Sequence, residues 1–171
     1  MIDHSPASAG LFHGGSMARL PRGIRNRNPL NIELGAPWKG LSGRQTDGRF
    51  AQFDSHLHGI RAAARVLRNY QRLHGLRTVR QVIGRWAPPV ENDTGSYARA
   101  VASAMGVGLD QDIDLADAAL MTDMIQAMAV HENGPAGAAT LALLYPEGAP
   151  AGLRPGHWYP RDQVLAGIAL A

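Results

Sequence analysis

Glu132 is the residue whose type and spacing most favour chemistry. It closes the stretch DLADAALMTDMIQAMAVHENGP, residues 114–135. There Met121, Ile125, Met128 and Glu132 stand at i, i+4, i+7 and i+11, one face of a helix turning about 100° per residue. A carboxylate that continues an apolar stripe is partly desolvated, and in the last turn it also meets the negative end of the helix dipole. Both effects disfavour the ionised form. A general acid needs that near neutral pH, as in glycosidases where one carboxyl group must hold a proton for a leaving oxygen. The plainer alternative is a solvated glutamate at a frayed helix end. Glu91, in the Pro-rich stretch PPVEND, is an alternative catalytic carboxylate, although an acid just ahead of a helix commonly serves the dipole. Tyr97 falls in the first turn of the helix that follows, where a phenol either packs as core or offers its hydroxyl to a cleft.

Metal chemistry has no comparable support. Asp110, Asp112 and Asp114 imitate the opening of a calcium loop, but Leu115 stands where that loop needs glycine and Met121 where it needs the closing glutamate. His131-Glu132 lacks the second histidine of a zinc-binding helix, whose place Pro135 takes. The other histidines show no ligand spacing. The chain has no cysteine, which excludes disulfides, thiol nucleophiles and thiolate sites.

The elements that must position the acid are punctuated clearly. For its own helix, Asp114 or Asp117 can cap the start, and Gly134-Pro135 is a stop signal. Upstream, Leu30–Leu34 and Arg49–Phe53 read as short β-like pieces with an Asp47-Gly48 turn before the second, which predicts a small hairpin or paired loop. Asn26, Asn28 and Asn31 crowd this segment, where asparagine ordinarily serves turn backbone. Ser55 opens a helix through His74 with Leu57, Ile60, Ala64, Leu67 and Tyr70 or Gln71 inward and Gly75 at its end. Its other face carries Arg61, Arg65, Arg68 and Arg72. Such a stripe could track phosphates, but a solvated face is the commoner reason for it, and no base-reading motif accompanies it. A helix from Thr78 to Trp86 breaks at Pro88-Pro89. The next, capped by Asp93 or Thr94, runs past Tyr97 and Val101 to Gly106. A small Ala/Leu helix over Ala136–Tyr145 and a terminal helix over Tyr159–Ala171 complete the chain.

At 171 residues, 45% hydrophobic and 18% charged, the chain has the composition of one globular domain. No apolar run approaches a bilayer span. The formal net charge of +3 favours anionic partners such as nucleic acid, phospholipid surfaces or acidic wall polymers. Residues 1–21 lack periodicity, and also the charged start and apolar core of a Sec signal, so they read as a flexible leader to a single domain over 22–171.

Together, RGIRNRNPLNI, W-KGL, DGRFAQFDS, GRWAPPVENDT, YARAVA and HENG resemble a family of bacteriophage virion-associated lysozyme-like proteins, labelled structural protein P5 or peptidoglycan lytic transglycosylase. The resemblance covers residues 22–134 nearly without gaps. The run Asp93–Val101 is similar to the ETxxYVxxV stretch of lytic transglycosylases, in which a tyrosine lines the active site. The resemblance implies that Glu132 takes the acid position, that Tyr97 takes that tyrosine's place, and that Asn28 and Asn31 belong to an Asn-rich loop beside the acid. Here the acid-bearing helix comes last, an order that a circular permutation would produce. Relative to the family, residues 135–158 look inserted; following directly on the acid, they either wall the cleft or occlude it.

The expected fold class is therefore mainly α (α+β), a lysozyme-like helical domain with a small β-hairpin, read as circularly permuted. The expected activity is cleavage of the β-1,4 glycan strand of peptidoglycan, with Glu132 first as acid and then as base. No second carboxylate stands at a defined position, which favours attack by water or by the muramoyl 6-hydroxyl and puts lytic transglycosylase ahead of muramidase. Trp38, Trp86, Tyr97 and Trp158 are candidates for packing on sugar faces, Trp86 being the most natural core residue among them. No metal or cofactor, no nucleic acid and no membrane span are expected. The partners would be the glycan strand and other virion proteins, and the setting a phage virion or prophage product acting on the wall in the periplasm. A noncatalytic tail or connector subunit on the same fold is the rival, since fold does not guarantee activity. A basic nucleic-acid binder would show affinity falling steeply with salt. Geometrically, the enzyme reading requires Glu132, Asn31 and Tyr97 to line one groove.

Overall fold

Local capping sets the helices of the computed structural model, which describes residues 19–89 and 93–171. In chain order they are α1 (Arg22–Arg25), α2 (His56–His74), α3 (Val79–Trp86), α4 (Thr94–Met105), α5 (Ala118–Asn133), α6 (Ala138–Leu144) and α7 (Arg161–Ala169). Ser55 accepts the His58 N–H at the start of α2, Thr78 and Gln81 close a capping box on α3, and Asp93 accepts from Ser96 N–H at α4. Gly75 and Gly106 end α2 and α4 in the left-handed conformation. Asp117 caps α5 through the Ala119 and Leu120 N–H groups, so this helix starts later than residue 114. Asp114 instead accepts the Ala116 N–H in the preceding turn. The Thr94 hydroxyl donates to the Ala87 carbonyl and ties the start of α4 to the end of α3.

α5 is the axis of the molecule. It packs against α1, α2, α4 and α7, and its buried residues lie on nearly all sides, as expected of a helix surrounded by others. Met121, Met124, Ile125 and Met128 are 0–1% exposed, each burial stabilising by about 1.5–3 kcal/mol. α2 lies along α7, and Arg61 and Arg65 donate to the Leu170 and Ala171 carbonyls at 2.8 and 3.0 Å. Half of the arginine stripe thus satisfies groups at the end of α7, where cations also complement the dipole. No described helix is long and apolar enough to cross a membrane.

The segment before α2 departs from expectation. RGIR forms the one-turn helix α1 after Pro21, and Leu20 packs against the core, so the packed domain includes residues before 22. Residues 1–18 of the expected leader lie outside the described residues. The two β-like pieces meet through one antiparallel bridge, Glu33 with Phe50, while Phe53 bridges to Leu41 in the intervening segment, and no extended strand forms among the described residues. Side chains and a kink take the place of a ladder. Asn28 accepts the Ile32 N–H and donates to the Ile32 and Ala51 carbonyls, while Asn31 turns the chain at φ 53°.

Asp47 organises the same segment. It accepts from the Arg22 guanidinium, the Asn26 amide and the Arg49 and Phe50 N–H groups. Hydrogen bonding from Arg22 first, then from the Phe50 N–H and Asn26, holds its carboxyl far below the usual carboxylate range. A depressed folded-state pKa contributes stability that is present above the unfolded value of about 3.9 and lost as pH falls toward the folded value. Asp47→Asn is therefore expected to lower the thermal midpoint at neutral pH and to flatten its fall below about pH 4. Melts of both proteins across acid pH would show this, and parallel curves would remove Asp47 from the acid sensitivity.

Residues 135–158 leave α5 and return. Ala136 N–H donates to the Gly156 carbonyl at 2.9 Å, and the Trp158 indole N–H to the Gly134 carbonyl at 2.9 Å. α6, between these ties, buries no residue.

Candidate active site

The C-terminal turn of α5 delivers Glu132, half-buried, to the lining of a groove of about 880 Å³. Three donors from three other elements converge on its carboxylate. The Trp86 indole N–H at the end of α3 and the Tyr97 hydroxyl in the first turn of α4 reach Oε1 at 3.2 and 3.0 Å. The Asn31 amide, from the bend between α1 and α2, reaches Oε2 at 3.1 Å. The donors differ in kind. An indole can only donate, a hydroxyl can reverse, and an amide can exchange its ends, so this cradle can accommodate Glu132 with or without a proton.

Tyr97 is 3% exposed, and burial first, then the neighbouring Glu132 carboxylate, push its phenol well above its ordinary range. It therefore remains a hydroxyl throughout the usable pH range. The His131 ring stacks on it with centroids 3.6 Å apart and planes 11° from parallel. Asn133, next along α5, donates to the Pro29 and Ala129 carbonyls at 2.8 and 2.9 Å and so fastens the end of α5 to the Asn31 bend. Gly23 of α1 fills the remaining angle: a Cβ there would lie 2.6 Å from Asn133 Oδ1, 2.8 Å from Asn31 Oδ1 and 2.9 Å from the Asn28 carbonyl oxygen. Both Oδ1 atoms are buried without a conventional donor and face this Cα instead, so any larger residue would displace the bend that carries Asn31.

The groove brings Glu132, Asn31 and Tyr97 together, as the sequence reading required. Trp86, read as core, lines the groove as well as packing against the core. Three other candidates are placed outside the groove lining. Asn28 is 0% exposed, and its side chain is consumed by the bend backbone, so it supports the loop. Trp158 is 2% exposed and away from the groove, its indole spent on the carbonyl that follows α5. Trp38 is only partly exposed, packs against the core and lies outside the groove lining. Glu91 lies outside the described residues. None of residues 135–158 lines the groove, so that segment neither walls nor occludes it.

The groove also contains residues that the sequence did not assign to the site: Glu33, Arg49, Phe50, Tyr70, Arg85 and His131. Glu33 is a second carboxylate there, 62% exposed and bonded to Arg49 at 2.9 Å. Its available signal was its place two residues after Asn31 in the same segment. Among the described residues no cluster of His, Cys, Asp or Glu could hold a metal ion.

No protein-family model matches the chain. It is similar to Protein P5 of Pseudoalteromonas phage PM2, with 41% identity over 117 residues, an alignment that covers 66% of this chain and 71% of that protein. Identity of that level over most of both chains leaves one conclusion, that this protein belongs to the family of the phage PM2 protein P5.

Proposed function

We propose that the protein cleaves the β-1,4 glycan strand of peptidoglycan, with Glu132 as the single catalytic acid. The observation that carries this reading is the cradle itself: a carboxyl group in the lining of an open groove, held by Trp86, Tyr97 and Asn31 through donors compatible with either protonation state. Glu132 would give its proton to the glycosidic oxygen as the C1–O bond breaks. The donors would then hold the resulting carboxylate beside the oxocarbenium-like centre. The same carboxylate would take a proton from the attacking hydroxyl, that of water or of the muramoyl C6. Glu33 is engaged by Arg49, which is consistent with a one-acid mechanism without a covalent intermediate. The arrangement of acid helix, Asn-bearing bend and helix-start tyrosine also fits a circularly permuted lysozyme-like domain. A phage must open its host's wall, so a virion-borne or prophage-encoded enzyme acting in the periplasm suits membership of a phage protein family.

Digestion of purified wall, with the released fragments weighed, tests the reading. The expected products end in 1,6-anhydromuramic acid and are lighter by a water molecule than hydrolytic ones. Reducing muramic ends would assign a muramidase instead. Wall binding without any release would support a noncatalytic virion subunit and sink the enzymatic reading.

A further inference from the structure

We propose that Arg85 anchors a carboxylate carried by the glycan strand, and so makes the groove selective for acidic over neutral β-1,4 glycans. The inference rests on the glycan-cleavage reading of the same groove. Arg49 and Arg85 both line it, but among the described residues only one of them has its charge matched: Arg49 donates to Glu33 at 2.9 Å. Arg22, Arg77, Arg80 and Arg161 are likewise paired, with Asp47, Asp112, Asp110 and Asp123. Arg85 has no carboxylate partner among the described residues. Its guanidinium lies over the Tyr70 ring, 5.2 Å from the centroid, and Tyr70 stands edge-on to Trp86 at 6.4 Å. Trp86 in turn donates to Glu132. The cation is thus held by an aromatic wall that leads to the acid.

A guanidinium carries five N–H donors, so one held beside the Tyr70 ring and near its hydroxyl keeps N–H groups for the two-pronged contact that suits a carboxylate. A neutral chitin-like strand offers no group for that fork. A muramic-acid strand offers one in either of two forms, the free lactyl carboxylate of a peptide-stripped strand or the carboxylates of the stem peptide.

Binding is measured with Glu132→Gln protein, so that substrate is not consumed, and compared with the same protein carrying Arg85→Gln or Arg85→Lys. The ligands are a neutral N-acetylglucosamine oligomer, a peptide-stripped muramyl oligomer and a peptide-bearing one. Arg85→Gln is expected to weaken binding of a carboxylate-bearing oligomer by roughly tenfold, the effect of one charge-assisted contact, and to leave the neutral oligomer unaffected. Arg85→Lys is expected to retain part of that preference. Loss confined to the peptide-bearing ligand assigns the stem carboxylate, and loss on the stripped strand assigns the lactyl group. Equal loss on the neutral oligomer, or no loss on any, overturns the proposal while leaving glycan cleavage standing. Failure of all three oligomers to bind the Arg85-containing protein overturns both.

Discussion

Glu132→Gln is expected to lower glycan cleavage by about 10²- to 10⁴-fold, the usual contribution of a general acid, with little change in thermal stability. The cradle explains why the two effects should separate. An amide oxygen in the Oε1 position can still accept from Trp86 and Tyr97. The new amide nitrogen would face Asn31, whose own amide can exchange its ends and present Oδ1, an atom that has no donor in the native arrangement. Shape and hydrogen bonding survive, and only the transferable proton is lost. Turnover of purified wall and a thermal melt, measured on the same preparations, give the two readings. A variant that digests wall as fast as the native protein removes Glu132 from the mechanism and makes Glu91 the next residue to test.

Gly59→Ala should do the reverse and damage the framework first. Gly59 lies on the face of α2 that meets the chain at Arg27, and a Cβ there would fall on the Arg27 carbonyl oxygen. That oxygen is backbone and cannot rotate away, and Arg27 already sits in the left-handed region at φ 53°. The loop from Arg27 to Asn31 must move as a unit, at a cost of about 1–3 kcal/mol, typical of overpacking. For a chain of this size each kcal/mol lowers the midpoint by about 2–4 °C. Activity should fall as well, because the displaced loop carries Asn31 away from Glu132. Gly84→Ala is the matched control: nothing lies within 4 Å of a Cβ there, so the same change within helix α3 should stabilise by about 0.5–1 kcal/mol. If both variants melt alike, close approach at Gly59 is not what fixes the loop.

What the sequence made legible follows the range of the interactions involved. The starts of α2, α3 and α4 were readable from Ser55, Thr78 and Asp93 because a cap reaches only two or three residues ahead. The stripe through Met121, Ile125 and Met128 was readable because helical periodicity is local, and it pointed to Glu132. The asparagines mark where this stops. Asn28 and Asn31 look alike in sequence, yet one is consumed by the bend and the other reaches the acid, a difference made by the backbone turn at Asn31 itself. Trp158 looked like a loop aromatic free to meet sugar. It is buried because the carbonyl after α5 needs a donor, which depends on where α5 ends in space. The Tyr70, Trp86 and Arg85 wall joins α2 to α3 through packing that no periodicity within either helix encodes.

The separation of the acid from its partners along the chain has a consequence for the order of events in folding. Trp86 and Tyr97 lie 46 and 35 residues before Glu132, and Asn31 lies 101 residues before it. Loops that long close late, since the entropy of bringing their ends together precedes any gain from the contact. On the ribosome, the donors emerge and their helices can form while the acid has yet to be made. A chain in which α5 has not yet packed therefore leaves Glu132 without its three donors. For a molecule read as a wall-cutting enzyme, incomplete folding would itself act as a safeguard for the cell that synthesises it.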